Sequence, residues 1–235
     1  MSLREQGAAP LESVLRRRDL LGVLVAAVAV AACSSIALDQ SPIGKPQLTV
    51  GDRWTTRAID LWKNEVAETF EQTVASIDGD SISLERKTLS SRSAQPSGPS
   101  EDRIDGATWT LLDTGIIEGK EVALAFPLYV GKTWEYEYKT VDSNGNRTLQ
   151  SRSAKVEAWE VTIVPGGTFK ALKVVVDGRW RAYVGDAMAT GKVTETLWYS
   201  PDAKRWVKRE FVSRTPEGRI TDQFRNELTH LELQK

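Results

Sequence analysis

Beyond residue 48, apolar and polar side chains alternate with a period of two along most of the chain, the pattern of strands that bury one face. Trp134-Glu135-Tyr136-Glu137-Tyr138 sets three aromatics on one side and two glutamates on the other. The same alternation runs through Glu157, Trp159, Val161 and Ile163, and again through Val193, Glu195, Leu197 and Tyr199. Turn-forming residues separate these runs: IDGD (77–80), SNGN (143–146), VPGGT (164–168), SPDAK (200–204) and TPEGR (215–219). Residues 60–76 have the Ala, Glu and Val content of a helix, but their β-branched residues and continuity with the next hairpin predict a strand. The stretch SRSAQPSGPSEDR (91–103) predicts an internal loop. The pattern as a whole predicts an all-β fold, a mostly antiparallel meander forming a curved sheet or incomplete barrel.

One segment breaks the alternation. LLGVLVAAVAVAA (20–32) is continuously apolar and follows the basic run Arg16-Arg17-Arg18. It is shorter than the about 20 residues that a membrane-spanning helix needs and matches the charged n-region and short h-region of an export signal. Its end, Val30-Ala31-Ala32-Cys33, resembles the lipobox of bacterial lipoproteins. That resemblance implies that the Cys33 thiol takes a diacylglycerol group, that residues 1–32 are cleaved away as a signal peptide, and that the new N-terminus is acylated as well. Two or three acyl chains hold durably where one holds weakly. The alternative is a buried structural cysteine inside an ordinary signal or an uncleaved anchor. RRDLLG (17–22) resembles the twin-arginine export motif through Arg17 and Arg18, with Leu20 and Gly22 where Phe and Lys are commoner; the general secretory route remains the alternative. Ser34 after the cysteine resembles outer-membrane lipoproteins of enteric bacteria, which implies a periplasm-facing anchor. The expected organisation is therefore a signal peptide (1–32), lipidated Cys33 with a tether to residue 47, and a β-rich envelope domain (48–235).

A faint repeat sits within that domain. Leu48-Thr49-Val50-Gly51-Asp52-Arg53-Trp54 aligns with Leu128-Tyr129-Val130-Gly131-Lys132-Thr133-Trp134, and Asp177-Gly178-Arg179-Trp180 has a related look. It raises two related lobes, 48–120 and 121–235, as one arrangement; a chance recurrence of Gly-polar-Trp at strand starts is the other.

Composition narrows the chemistry. Cys33 is the only cysteine and His230 the only histidine, so a disulfide framework, cysteine metal sites and most histidine-based catalysis are excluded. Beyond residue 32 the chain carries 27 basic and 29 acidic residues; that near-balance gives no case for nucleic acid or for an anionic membrane surface. All eight tryptophans lie beyond Cys33.

Several local motifs fail on inspection. Gly131-Lys132-Thr133 lacks the first glycine of a phosphate loop, since Phe126 stands there. Asp142-Ser143-Asn144-Gly145-Asn146 has its glycine too early for a calcium loop and reads better as a hairpin tip. Asp78 and Asp80 share a hairpin tip, where carboxylates are usually solvated, and His230 reads as a strand-end residue. No catalytic residue, metal ligand or cofactor site emerges. Trp134, Tyr136 and Tyr138 are the candidates for a ligand groove, although an aromatic stripe of this kind is more often core. The run Lys204-Arg205-Trp206-Val207-Lys208-Arg209 reads as the wet face of a sheet, balanced by Glu195, Asp202 and Glu210.

FPLYVGKTWEYEY (126–138), PGGTFKALKVVV (165–176) and LWYSPDAKRWVKREF (197–211) resemble a loosely defined group of uncharacterised bacterial periplasmic proteins and lipoproteins. The resemblance covers roughly the last 110 residues and implies a β-meander envelope domain without an established activity. An analogy with the half-open barrels of lipoprotein carriers is fold-level only. The leading expectation is a non-enzymatic lipoprotein that binds a lipid, glycan or peptide in a groove on its concave face. The alternatives are a structural or assembly partner of another envelope protein, and an enzyme acting on polysaccharide through two facing carboxylates.

Overall fold

A computed structural model describes residues 41–92, 99–112, 115–185 and 187–235. Arg17, Arg18 and Cys33 lie outside the described residues. The strands are β1 (Arg53–Asp60), β2 (Glu65–Asp78), β3 (Ser81–Ser91), β4 (Ser100–Asp105), β5 (Thr110–Leu111), β6 (Ile116–Gly119), β7 (Thr133–Val141), β8 (Arg147–Val164), β9 (Gly167–Val184), β10 (Ala187–Ser200), β11 (Arg205–Arg214) and β12 (Ile220–Glu232). They form one antiparallel sheet in the order β5-β4-β3-β2-β1-β12-β11-β10-β9-β8-β7-β6, the all-β meander that the alternation predicts. The expected turns fall between strands, with SPDAK forming a single 3-10 turn at Pro201–Ala203. Both expected lobes contribute to this one sheet, joined by the pairing of β1 with β12.

The sheet is an incomplete barrel for a geometric reason. Twelve strands laid flat at a spacing of about 4.8 Å would spread over about 50 Å. The two edge strands, β5 and β6, are nevertheless consecutive in the chain, and the stretch from Leu111 to Ile116 reaches at most about 18 Å. The sheet must therefore curl until its edges face each other. No ladder joins β5 to β6, so the barrel is not closed.

The chain after β6 bridges the seam. The Leu124 amide donates to the Thr108 carbonyl (3.1 Å), and the Thr110 hydroxyl donates to the Glu121 carbonyl (3.1 Å). Leu124 and Leu128 are fully buried, and Phe126 meets Tyr199 edge-on at 5.2 Å. Lys132 holds this stopper from outside, its ammonium donating to the carbonyls of Ala125 and Pro127. Behind it the interior is packed with Trp54, Leu84, Val156, Leu172, Val174 and Leu228.

The repeat recurs as structure at two of its three positions. Gly51 and Gly131 both have φ of +91°. Each sits in a turn closed by an i to i+3 bond, Asp52 N to Thr49 O (2.9 Å) and Lys132 N to Tyr129 O (3.1 Å). Each is then tied to the second strand of the hairpin it launches, β2 or β8, by the same pair of bonds: Gly51 with Val74 and Val74 with Asp52, Gly131 with Val156 and Val156 with Lys132. Trp54 and Trp134 then donate their indole N–H to distant carbonyls, of Ala203 and Val122, both at 2.8 Å. Asp177-Gly178-Arg179-Trp180 differs: it lies within β9, with no turn.

The loop expected over 91–103 ends sooner, because β4 begins at Ser100. Its polar outward residues disguise a strand whose inner positions are Asp102 and Ile104, and the Ser83 hydroxyl ties it to Glu101 at 2.8 Å. The left-handed backbone at Gly131 supplies a test. A Cβ there meets nothing within 4 Å, so Gly131→Ala isolates the conformational cost, and urea unfolding should show a loss of about 1–2 kcal/mol.

Candidate functional site

Inside the curl, between the stopper and the sheet, lies a cavity of about 660 Å³, within the range of small-molecule sites. Its wall draws on β1 to β5 on one side and on β7 and β10 to β12 on the other, which places it on the concave face. Three classes of side chain line it. Phe70, Leu84, Ile104, Leu197 and Phe224 are apolar. Trp109, Tyr138 and Trp206 are aromatic with a polar atom. Glu68, Arg86, Asp102, Glu121, Glu195, Arg205 and Arg209 carry charge.

Strand alternation sets most of these inward. On β10 the residues Val193, Glu195, Leu197 and Tyr199 all point into the sheet's interior and are buried, so one carboxylate shares a face with three apolar neighbours. On β2, Gln72 sits in the same way between Phe70 and Val74. On β11 the register slips opposite Trp198 and Tyr199, and the extra residue resets which side chains face inward. The basic run 204–209 is consequently not a wet face: Arg205 and Arg209 line the cavity, while Lys204 and Lys208 pair outside it with Asp52 and Glu210, both at 2.8 Å.

The charges are partnered unevenly. Arg209 donates to Glu195 and lies over the Phe224 ring at 5.4 Å. Arg86 pairs with Glu68 at 2.8 Å and lies over Phe70 at 3.6 Å. The Gln72 amide donates to Asp102 (2.8 Å) and its oxygen accepts from Arg205 (3.2 Å). Glu121 has no ion pair among the described residues; burial, reinforced by the charge of Glu195, pushes its carboxyl above the usual range. Burial also raises the Tyr138 phenol to about 12 and lowers the Arg205 guanidinium to about 9, which leaves both in their ordinary states at neutral pH.

The three aromatics singled out from the sequence share one face of β7 but differ in surroundings. Tyr138 lines the cavity. Tyr136 is buried and stacks on Tyr138 with centroids 6.2 Å apart. Trp134 is half-buried against the stopper through its bond to Val122. Cys33, Arg17 and Arg18 lie outside the described residues, and His230 is exposed at a strand end opposite Thr55. Asp142 spends its carboxylate on the hairpin tip, accepting from the Asn144 and Asn146 amides. Among the described residues no cluster of three or more His, Cys, Asp or Glu side chains could hold a metal ion. Arg205, Glu121 and Trp109 were missed by sequence reasoning. Glu195, expected to balance the basic run on a wet face, is instead buried in the cavity wall.

Glu121 yields a pH test. Its folded carboxyl keeps a proton to higher pH than the unfolded chain does, so stability falls as pH rises above about 4.5 and levels off once the folded group has ionised. Glu121→Gln removes that ionisation. Thermal unfolding at a series of pH values up to about 8 should show the variant losing less Tm than the wild type over this window, with the two curves converging toward acid pH.

No family model matches the chain, and no curated protein matches it in sequence. Solved structures resemble it. A Parabacteroides distasonis protein named as a lipoprotein superposes with a TM-score of 0.55 at 15% identity, covering 82% of this chain and 100% of its own. A Bacteroides fragilis protein named as exported, with a YmcC-like fold, gives 0.48 at 13% identity with the same coverage. YmcC itself, a hypothetical lipoprotein of Escherichia coli, gives 0.37 at 12% identity over 77% of this chain and 88% of its own. What the chain shares with the Parabacteroides protein is the fold.

Proposed function

We propose that this chain is a lipid-anchored envelope protein that holds a small ligand inside its curled sheet without transforming it. The carrying observation is the cavity of about 660 Å³, walled by aromatic rings and charged side chains where a small barrel would ordinarily be filled by its own aliphatics. Burying this many charges is costly unless they serve recognition or are paired.

The address rests on the apolar run 20–32 ending at Cys33 and agrees with the lipoprotein name of the Parabacteroides protein that shares the fold. In this reading residues 1–32 are removed, lipid on Cys33 holds the domain at the outer membrane facing the periplasm, and residues 34–47 form the tether. The lipid, glycan or peptide in the cavity is a separate partner from the anchoring membrane.

A second reading has one observation in its favour. Glu121 and Glu195 both line the cavity and raise the question of paired carboxylates, one protonated and one ionised. Glu195 is engaged by Arg209, which fits structure better than turnover. A glycan-cleaving activity abolished by Glu121→Gln and by Glu195→Gln would establish the enzymatic reading instead.

Two experiments test the proposal. In cells, Cys33→Ser should abolish incorporation of radiolabelled palmitate and release the protein from membranes; unchanged labelling and membrane association would refute the address. Separately, protein purified gently from its native envelope and then denatured should release a bound small molecule detectable by mass spectrometry. Ala58→Trp, which fills part of the cavity wall, should release at least tenfold less. Equal yields from both proteins would place the molecule elsewhere and refute the binding role of the cavity.

A further inference from the structure

We infer that the cavity recognises an oxyanion, a carboxylate borne by its ligand, and that Arg205 is the residue that receives it; this rests on the binding role proposed above. The warrant is an arginine that is buried, cationic and short of partners. Arg205 is 2% exposed. Its Nη1 donates to the neutral Gln72 oxygen at 3.2 Å, its Nε is buried with no partner, and no ion pair involves it among the described residues.

Its other neighbours are rings. The guanidinium lies 4.4 Å from the centroid of Trp206, 5.3 Å from Trp54 and 5.5 Å from Trp109. Indole faces stabilise a cation, but they accept none of its hydrogen bonds in the way a carboxylate does. Arg209 and Arg86, which also line the cavity, each have a carboxylate. Arg205 therefore stands apart from the other arginines of the cavity.

A second orphan lies beside it. The indole N–H of Trp109, a residue 8% exposed, is also buried without an acceptor, and both residues line the cavity. Two unpaired buried donors lining one cavity, one of them charged, call for an acceptor with negative charge. A carboxylate meets the fork of an arginine with two parallel bonds and leaves lone pairs for a third donor. Of the acids lining the cavity, Glu68 pairs with Arg86, Asp102 accepts from the Gln72 amide and Glu195 accepts from Arg209; Glu121, whose carboxyl burial pushes toward its neutral form, makes no ion pair with Arg205.

The lining fits two carriers of a carboxylate, a sugar acid against aromatic faces or an acyl chain along Leu84, Ile104 and Leu197. The test compares glucuronate with glucose, and decanoate with decanol, at constant ionic strength and pH 7. The readouts are tryptophan fluorescence and Tm on the full-length protein. One carboxylate of the two should bind at least tenfold more tightly than its neutral counterpart.

Removing Arg205 risks the fold, so the decisive variant keeps it. Gln72→Glu combined with Asp102→Asn supplies an internal carboxylate at the place where Arg205 now bonds a neutral amide, and preserves the side-chain bond between positions 72 and 102. This protein should be at least as stable as wild type and should lose the preference for the anion. Binding in which neither acid exceeds its neutral counterpart would overturn the inference while leaving the cavity's binding role standing. Anion preference that survives the double substitution would also overturn it, as would the absence of any response to all four probes at millimolar concentration.

Discussion

Everything in this fold depends on one long-range ladder, the pairing of β1 with β12. All other neighbours in the sheet are consecutive in the chain, most of them joined by short turns that form locally, with the stopper segment 120–132 between β6 and β7 as the longest connection. The β1–β12 pairing instead brings Arg53 opposite Glu232 and Asp60 opposite Phe224, and its loop-closure entropy must be offset by what it assembles. The end of that ladder is tied down accordingly. Asp52, fully buried, accepts from the Thr49 amide, the Gln234 amide and the Lys204 ammonium, which joins the start of β1, the tail after β12 and the β10–β11 turn. Trp54 adds its bond to Ala203 in the same turn. Along the ladder, Arg57 donates twice to Glu227, at 2.9 and 2.6 Å.

The interior enclosed by this closure is divided in character. One part is an apolar core that includes Trp54, Val156, Leu172 and Val174; the other is a chamber where arginines and acids meet aromatic rings. Trp54 and Arg205 form the boundary, with the ring on the core side and the guanidinium on the chamber side. A charge at that position would be expensive among aliphatics. Three tryptophans lessen the cost without meeting the guanidinium's demand for acceptors. Electrostatics and packing therefore lead to the same surface as the place where a ligand would gain most.

Much of the architecture was legible because strand alternation is a local property. The five turn segments fall between strands; of the strand expected over 60–76, residues 65–76 belong to β2, since Phe70, Gln72 and Val74 repeat at the spacing of a buried face, while 61–64 form the turn that separates it from β1. The site was harder to read. Arg205 and Arg209 hide in a basic run whose inward positions are reset by a register slip, an event with no sequence signature. Glu121 and Ala123 reach the cavity from irregular chain, where no periodicity operates. Ser100–Asp105 resembled loop because its outward residues are polar and its inward face carries an aspartate. Two chamber residues stand in the alternation: Tyr138 in the aromatic stripe of β7, and Glu195 among Val193, Leu197 and Tyr199, where a charge in an apolar parity marks either a misassigned face or a buried site.

The facing edges of the sheet have a consequence for how this topology can be rewired. Read around the curl, the strands run from β6 through β12 to β1 and on to β5 in unbroken order. A circular permutant joined between the tail after Glu232 and the segment before Arg53, and opened near Gly115, would make every strand pairing one between sequence neighbours. The long-range ladder would become an ordinary hairpin, lowering contact order and quickening folding. Its new termini would emerge at the seam, close in sequence to Thr110 and Leu111 of the chamber wall.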